Sequence, residues 1–471
     1  MQPLCPNHPF FREAFIVLLP IDFSSNKSIL ASIFINCSNL SLSFMPASKK
    51  QNIILFVGQV FDHMIHAIRA YEKKRGVSFR IGLLYDPKLP NKTEFEIVAP
   101  LLDVIIRCDT HSMIDLQKNL LPYQDELLAI TCRAENQIQM LTRVIPHVPY
   151  LRTPLPESLV WASDKLSMRR RLYTYDKNIS PRYTLVQDVS KKTIDKVKTK
   201  IGFPLIIKPS GLAASRLVTI CYHEDELKKN LQRVFRHINR VHKETIGNWE
   251  PKVLVEQFLD GEMYSVDAYV TARGKIYFCP LVHVKTGKQI GFDDFFGYRQ
   301  ITPTNLSTES KKQAENVATD GVYALGLRNT TAHIEMMRTE QGWKVIEIGA
   351  RIGGFRHMMY DFSYGINHTM NDILVRIGEK PVIPKKIKGY TAAMKFFAQK
   401  EGTLSKLKGI KKIQELSSFK QIDVNKKLGD SCTFAKNGGT SVFNIILFNK
   451  HRSDLLADIR RIEQSISIET V

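Results

Sequence analysis

Residues 331–354 read TAHIEMMRTEQGWKVIEIGARIGG, and this stretch predicts a β-hairpin around which the rest of the chain is organised. Apolar and polar residues alternate on both sides of the turn. Gly342 takes the last place of a three-residue loop, where a type I turn followed by a left-handed residue favours glycine. This turn aligns three pairs across the hairpin, namely Thr339 with Trp343, Met337 with Val345, and Glu335 with Glu347.

Glu335 and Glu347 are therefore predicted to lie on one face of the hairpin, directly opposite each other. Like charges in this position destabilise a sheet, and buried carboxylates without partners are costly. A cation between the two side chains would explain the pattern, and carboxylate oxygens suit Mg²⁺ or Mn²⁺. An ordinary exposed hairpin with two solvated glutamates is the alternative.

The segment after the second glutamate combines a basic residue, Arg351, with the paired glycines Gly353 and Gly354. Such backbone lets an anion approach main-chain amides. A metal site next to an anion site indicates the phosphates of a nucleotide.

The composition is that of a globular protein with more than one domain. The chain has 471 residues, of which 44% are apolar and 24% charged, and this length exceeds what one small core organises. Its seven cysteines contain no CxxC pair, which favours a reducing compartment over a disulfide scaffold or a zinc site. No apolar run is long enough to cross a bilayer, and the start lacks the basic-then-apolar order of a signal peptide. We therefore expect a cytoplasmic protein without a membrane partner.

The formal net charge of +21 would attract polyanions, and it also suits nucleotide substrates. Lysines are dense in residues 380–412, yet the chain contains no helix-turn-helix, zinc-finger or aromatic-basic RNA-binding signature. A solvated basic face is the favoured interpretation. Nucleic-acid binding stays an alternative, which salt-dependent retention on DNA or RNA would support.

Residues 1–44 show neither a helical nor a strand period. They are interpreted either as an extension upstream of a native start at Met45 or as an extra strand on the first domain. From residue 52 onward, short apolar runs alternate with helical spans, which is typical of a parallel sheet. Residues 45–150 are thus predicted to form a Rossmann-like domain, although Gly58 is not followed by GxGxxG.

Two segments beyond this domain contain the lysines Lys165 and Lys208. Lys165 lies within a predicted helix that begins at Pro156 and is rich in arginine, and an exposed basic face is the simplest interpretation of that segment. Lys208 ends an apolar strand and precedes a loop of small residues, 210–215. This arrangement would lay backbone amides over phosphates while an ammonium neutralises them. A strand-end lysine that merely reaches solvent is the alternative.

Residues 252–270 predict a strand, a sharp linker at Gly261 and a second strand. Exposed backbone groups in the linker, together with a carboxylate, can hydrogen-bond the edge of a purine. A second acid one turn later can bind ribose hydroxyls.

The order and spacing of these segments resemble the ATP-grasp superfamily, and more narrowly its carboxylate–amine ligases, over residues 164–378. The resemblance implies an α/β fold in which the Rossmann-like domain precedes an ATP-grasp domain pair over residues 157–385. Residues 386–471 would form a small α+β closing subdomain similar to that of L-amino-acid and dipeptide ligases.

The resemblance also implies the site residues. Those expected to bind ATP are Lys165, Lys208, Ser210, Gly211, Ser215, Glu256, Gln257, Leu259 and Glu262. Those expected to hold Mg²⁺ or Mn²⁺ are Glu335 and Glu347, while Arg351 and Lys208 would act in catalysis. Candidates from the predicted substrate loop, residues 285–303, are Lys288, Asp293, Asp294 and Arg299. Where the family usually has an asparagine that helps to hold a second metal, this chain has Gly349.

The implied activity is an ATP-dependent ligation of a small carboxylate, with amino acids among the candidates, to an amine. It would proceed through an acyl phosphate and release ADP and phosphate. The alternatives are another ATP-grasp reaction, such as carboxyphosphate chemistry, or a nucleotide-binding partner or sensor without turnover. His333 is interpreted as a packing residue or as a neighbour of the metal ligands. An oligomer is compatible with the sequence.

Overall fold

The computed structural model describes residues 51–88, 92–210, 217–245 and 252–471, with side chains for all of these except residues 92–93 and 241–245. The predictions for residues 1–44 and Met45 lie outside the described residues, as do the predicted ATP ligands Gly211 and Ser215. No helix in the described part of the chain is long and apolar enough to cross a membrane.

The first region alternates strands with helices, and its strands form one parallel sheet in the order β3-β2-β1-β4. Its elements are β1 (Ile53–Val57), α1 (Asp62–Arg75), β2 (Arg80–Tyr85), α2 (Lys92–Val98), β3 (Val104–Arg107), α3 (Met113–Leu120), β4 (Leu127–Thr131) and α4 (Ile138–Val144). Alternate residues of β1 enter two separate hydrophobic clusters. The strand is apolar throughout because both of its faces are covered. The predicted parallel sheet is confirmed.

The second region contains a small antiparallel sheet in the order β5-β8-β6-β7. Its elements are α5 (Pro156–Ser163), α6 (Lys165–Tyr175), β5 (Tyr183–Val186), α7 (Lys191–Lys200), β6 (Leu205–Pro209), β7 (Thr219–Cys221), α8 (Glu224–Thr245) and β8 (Val253–Gln257). Helix α6 begins directly after Asp164, whose carboxylate accepts a hydrogen bond from the Ser167 amide. This cap fixes where Lys165 leaves the helix.

The largest sheet runs in the order β14-β13-β9-β11-β12-β15-β19-β17, with β10 paired to β9. In chain order, the first strands of this sheet and the helices that accompany them are β9 (Glu262–Val270), β10 (Ile276–Phe278), β11 (Val282–Thr286), β12 (Gly297–Thr302), α9 (Thr308–Ala324), β13 (Thr330–Thr339), β14 (Gly342–Gly349), α10 (Arg356–Tyr364) and α11 (His368–Ile377). The later elements of the chain are β15 (Tyr390–Phe396), β16 (Gly402–Lys408), α12 (Ile410–Gln414), β17 (Phe419–Val424), β18 (Ser431–Cys432), β19 (Phe443–Asn449), α13 (Arg452–Ser465) and β20 (Ser467–Thr470). Of these strands, β16, β18 and β20 form a separate sheet in the order β18-β16-β20. Strands from both sides of residue 385 belong to the largest sheet, because β12 pairs with β15.

The hairpin β13–β14 departs from its predicted register near the turn. Gly342 has the expected left-handed backbone, with a φ of 94°, and Glu335 pairs with Glu347 as predicted. The other two predicted pairs are wrong, since Thr339 pairs with Gly342 and Met337 with Lys344. A bulge at Ile346 shifts the ladder by one residue, and this extra residue brings the two glutamates back into register.

Candidate nucleotide and metal site

Glu335 and Glu347 face each other across the β13–β14 ladder, and each already has one basic neighbour. Glu335 Oε1 lies 3.5 Å from His333 Nε2, and Glu347 Oε1 lies 3.2 Å from Lys165 Nζ. Their side chains are 33% and 38% exposed, respectively. The pair is therefore neither fully solvated nor fully buried, as suits carboxylates that reach a ligand from a protein surface.

Electrostatics keep Glu335 ionised. Burial raises the pKa of its carboxyl, but the hydrogen bond from His333 and the positive charges of Arg351 and Arg356 outweigh burial, so the pKa lies below its ordinary value. Burial also lowers the pKa of His333, and its contact with Asp267 outweighs that effect and raises it. A metal-binding carboxylate has to be deprotonated, and this one is at neutral pH.

Asp267 is the centre of a buried network behind Glu335. Its side chain is 0% exposed and accepts hydrogen bonds from His333 Nδ1 at 2.6 Å, His368 Nε2 at 2.7 Å and the Gly353 amide at 2.8 Å. Tyr269 in turn contacts His368 Nδ1. One carboxylate thus orients the histidine that contacts Glu335 and the glycine loop that follows β14. The sequence indicated only a neighbouring role for His333, and strand alternation is the signal that could have placed Asp267 on the same face.

Glu256 holds Lys208 in a buried ion triad. Arg169 Nε lies 2.7 Å from Glu256 Oε1, and Lys208 Nζ lies 3.0 Å from Glu256 Oε2. Burial raises the pKa of Glu256, but Arg169 and Lys208 outweigh it and lower the pKa to about 2. The carboxylate is 1% exposed, so it positions a lysine and is not presented to a purine at the linker. Arg169 also donates to the Ile346 carbonyl at the hairpin bulge, at 2.6 Å.

Asp164 joins the start of α6 to the segment after β6. Its carboxylate accepts hydrogen bonds from Ser167 in its own helix and from the Ser210 hydroxyl. Asp164 thus holds Ser210 beside the start of the helix from which Lys165 contacts Glu347. Most of the predicted small-residue loop beyond Ser210 is outside the described residues.

Arg351 connects the hairpin to the segment after β4. Its Nε lies 2.7 Å from Glu135 Oε2, and Arg133 Nη1 donates to the Ile352 carbonyl at 3.0 Å. A Cβ atom added at Gly349 would lie 3.0 Å from the same Glu135 oxygen. The Glu135 carboxylate thus borders the space into which a longer side chain at position 349 would project. Sequence reasoning did not identify Arg133 or Glu135 as part of this region.

Glu262 is not brought together with the other predicted ATP ligands. In the β9–β13 ladder Glu335 pairs with Ser265, and Glu262 pairs with Arg338. Strand alternation therefore directs Glu262 to the opposite face of the sheet from Glu335. There its carboxylate accepts a hydrogen bond from the Tyr264 hydroxyl at 3.0 Å. That Glu262 binds the ribose of ATP stays a prediction.

The remaining linker residues lie beside the small sheet. Gln257 Oε1 accepts a hydrogen bond from Arg182 Nε at 3.3 Å, and Leu259 is half-buried in the connection between β8 and β9.

The four candidates of the predicted substrate loop do not converge on Glu335. Asp293 pairs with Lys436 Nζ at 2.5 Å, and the buried Asp294 accepts from the Lys436 amide at 2.9 Å. These two acids fasten the loop to the segment before β19. Lys288 lies over the ring of Tyr222. Arg299 lies on the face of the sheet that carries Glu262 and is described further below.

Comparison with known proteins agrees with this architecture. The family model of the ATP-grasp domain matches residues 201–358. The chain is 26% identical over 339 residues to protein y4rH of Sinorhizobium fredii (strain NBRC 101917 / NGR234), which covers 70% of this chain and 65% of that protein. It is 32% identical over 170 residues to the alanine–anticapsin ligase of Bacillus subtilis (strain 168), covering 33% of this chain and 34% of that ligase. The matches thus span less than two thirds of these relatives.

Solved structures share the fold at low identity. The L-amino acid ligase from Bacillus licheniformis superposes with a TM-score of 0.68 and 16% identity, covering 90% of this chain and 100% of that one. The phosphoribosylglycinamide synthetase from Anaerococcus prevotii gives a TM-score of 0.61 and 16% identity, covering 89% and 100%. Residues 201–358 of the chain are thus similar to the ATP-grasp domain, and the chain shares its fold with these two solved structures.

Proposed function

We propose that this protein is an ATP-dependent carboxylate–amine ligase that forms an amide or peptide bond through an acyl phosphate and releases ADP and phosphate. The observation that carries the proposal is the set of contacts that joins the two lysines to the acidic hairpin. Lys165 contacts Glu347. Arg169, from the same helix, contacts Glu256 and also the Ile346 carbonyl at the bulge of β14. Glu256 in turn contacts Lys208.

The proposed substrates are amino acids or other small carboxylates and amines. Support comes from the relatives whose names specify such chemistry, the alanine–anticapsin ligase and the L-amino acid ligase. A reducing cytoplasm is proposed as the site of action, because the five cysteines of the described residues are all free.

ATP-grasp ligases use ATP and Mg²⁺. In this chain Glu335 and Glu347 would hold Mg²⁺, which would offset the negative charge of the phosphates. The donor set fits a hard cation, because both groups are carboxylates, both are partly exposed, and Glu335 is ionised at neutral pH.

Three basic residues, Lys165, Lys208 and Arg351, would neutralise the remaining negative charge of the reactants. In the first step a substrate carboxylate oxygen attacks the γ-phosphorus of ATP, the bond to the β-phosphate oxygen breaks, and ADP leaves. In the second step the amine nitrogen attacks the acyl carbon, phosphate leaves, and the nitrogen loses a proton. Lys165 and Lys208 would neutralise phosphate oxygens, and Arg351 would stabilise the charge that develops at the reacting end. Ser210, Gly211 and Ser215 remain proposed phosphate-loop contacts.

In this chain Gly349 stands where the family usually has an asparagine that helps to hold a second metal. We further propose that the Glu135 carboxylate supplies that ligand instead. Its carboxylate oxygen is the atom that a side chain at position 349 would meet first. A carboxylate there would supply the missing oxygen ligand for a second cation while remaining next to Arg351, 2.7 Å away.

The test is a screen for ADP release over pairs of amino acids and small carboxylates in magnesium buffer. We expect release that requires both an acid and an amine, and its loss in Lys208→Ala, because this variant removes the ammonium that lies 3.0 Å from Glu256 Oε2 and would neutralise a phosphate oxygen. The exposed Lys200→Ala is the matched control and should keep wild-type turnover. Bicarbonate-dependent release without an amine would instead favour carboxyphosphate chemistry, and ATP binding without any release would favour a sensor.

A further inference from the structure

A cavity lies on the face of the large sheet opposite to the face that carries Glu335. Its volume is about 550 Å³, within the range of sites for small molecules. Strands β9, β11, β12 and β13 form its floor, and the starts of α9 and α13 border it. The polar residues that matter here are His283, Arg299, Thr304, Ser310, Arg338 and Arg452.

The lining carries more positive than negative charge. Its three arginines come from separate elements, β12, β13 and α13. Glu262 is the acid among the lining residues, and its Oε2 lies 3.8 Å from Arg338 Nη1. Glu463, which is not a lining residue, has its Oε1 3.7 Å from Arg299 Nη1. Arg452 has no ion pair with any described residue. An arginine that is half-buried without a carboxylate partner favours an anion from outside the chain.

Hydrogen-bonding capacity is also unused at this cavity. Four buried atoms have no partner among the described residues, the Nε atoms of Arg299 and Arg452 and the hydroxyls of Thr304 and Ser310. Ser310 is 7% exposed and lies in the first turn of α9, and Arg452 is the first residue of α13. Helix starts favour negative charge. Burial and the charges of Arg299 and Arg452, which outweigh the nearby Glu262, lower the pKa of His283.

We propose that this cavity binds a small organic anion, whose carboxylate or phosphate group is bound by Arg299, Arg338 and Arg452. Guanidinium groups pair with both kinds of oxyanion in a planar, two-pronged geometry. The site is separate from the proposed nucleotide site, because the two lie on opposite faces of one sheet. The inference does not depend on ligase activity.

Isothermal titration tests it with three probes, inorganic phosphate, glycerol 3-phosphate and succinate, and with glycerol as the neutral comparison. We expect saturable binding of at least one anion to the wild-type protein and roughly tenfold weaker binding to Arg452→Ala. Arg460→Ala, an exposed residue of the same helix, is the matched control and should bind as wild type does. Binding that persists in Lys208→Ala would place the anion outside the nucleotide site. Preference for phosphates or for succinate identifies which group the arginines recognise.

Arg338→Gln keeps the test valid if Arg452→Ala does not fold, since Arg338 is 48% exposed, and it should also weaken binding. Equal affinity of wild type, Arg452→Ala and Arg338→Gln would overturn the proposal, as would the absence of saturable binding for every probe. A wild-type dimer that dissociates in Arg338→Gln, measured by light scattering, would also overturn it, because the cavity would then be an interface between copies.

Discussion

Asp267 is the residue that most constrains the geometry around Glu335. It accepts three hydrogen bonds, from two histidines and from the Gly353 amide. A carboxylate buried this deeply is tolerated because both rings can donate to it. Through His333 it orients Glu335, so we regard Asp267 as a positioning residue for the proposed metal site.

Replacing Asp267 by asparagine should therefore cost stability and loosen metal binding together. The variant removes the charge that both histidines pair with, and we expect the free energy of unfolding in urea to fall by roughly 3 kcal/mol. Mn²⁺ affinity, measured by electron paramagnetic resonance, should also fall. The exposed Asp260→Asn is the control, and equal stability of the two variants would contradict the proposed network.

The lowered pKa of Glu256 predicts that the free energy of unfolding depends on pH. Its folded pKa of about 2 lies below the ordinary value of 4.5, so its contribution is fully present above pH 4.5 and is lost as the pH falls toward 2. Between pH 6 and pH 3 the wild type should lose more unfolding free energy than Glu256→Gln does. The exposed Glu379→Gln should follow the wild-type curve, and parallel curves for all three proteins would refute the assignment.

Local patterns predicted some of these residues and not others. The pairing of Glu335 with Glu347 follows from alternation within 24 residues of sequence. The contact between Asp267 and His368 joins residues 101 positions apart, and no local period encodes it. Arg169 was interpreted as part of an exposed basic face, but it is 2% exposed, because its partner Glu256 lies on a strand 87 positions later.

At the scale of elements, the register of the hairpin β13–β14 is predicted correctly at the Glu335–Glu347 pair and wrongly between that pair and the turn. The glycine turn and the two strands follow from sequence. The bulge at Ile346 could not be predicted, because the Ile346 carbonyl is bound by Arg169 of α6, an element from another part of the chain. Tertiary contacts of this kind override what alternation alone would favour.

The predicted turn at Gly342 can be tested by measuring the free energy of unfolding of glycine variants. Gly342 has a φ of 94° with nothing near its absent Cβ, so Gly342→Ala should cost about 1 kcal/mol from backbone strain alone. Gly354 also has open space at its Cβ position but no left-handed backbone. Gly354→Ala should leave the free energy of unfolding nearly unchanged, and a similar loss in both variants would contradict the predicted turn.

At the scale of the whole molecule, the candidate site draws residues from three sheets. Lys208 and Glu256 come from the small antiparallel sheet, and the two acids come from the large one. Glu135 and Arg133 follow β4 of the parallel sheet. The order of these regions could be predicted from the sequence, whereas the contribution of the segment after β4 could not, because the contacts between regions depend on how sheets pack.

The proposed role of Glu135 is tested by counting metal ions. In the presence of a non-hydrolysable ATP analogue, the wild type should bind two Mn²⁺ ions per chain, and Glu135→Gln should bind one of them more weakly. Glu96→Gln, in the same region but away from the site, is the control. Unchanged stoichiometry and affinity in Glu135→Gln would show that another group supplies the ligand.

The central claim is that the facing glutamates bind the metal that ATP requires, and acid- and amine-dependent ADP release tests it most directly. Glu347→Ala removes one of the two carboxylates, whereas Glu340→Ala removes an exposed carboxylate from the turn of the same hairpin. We predict that Glu347→Ala loses release at every magnesium concentration and that Glu340→Ala retains it. Wild-type release by folded Glu347→Ala would contradict the account.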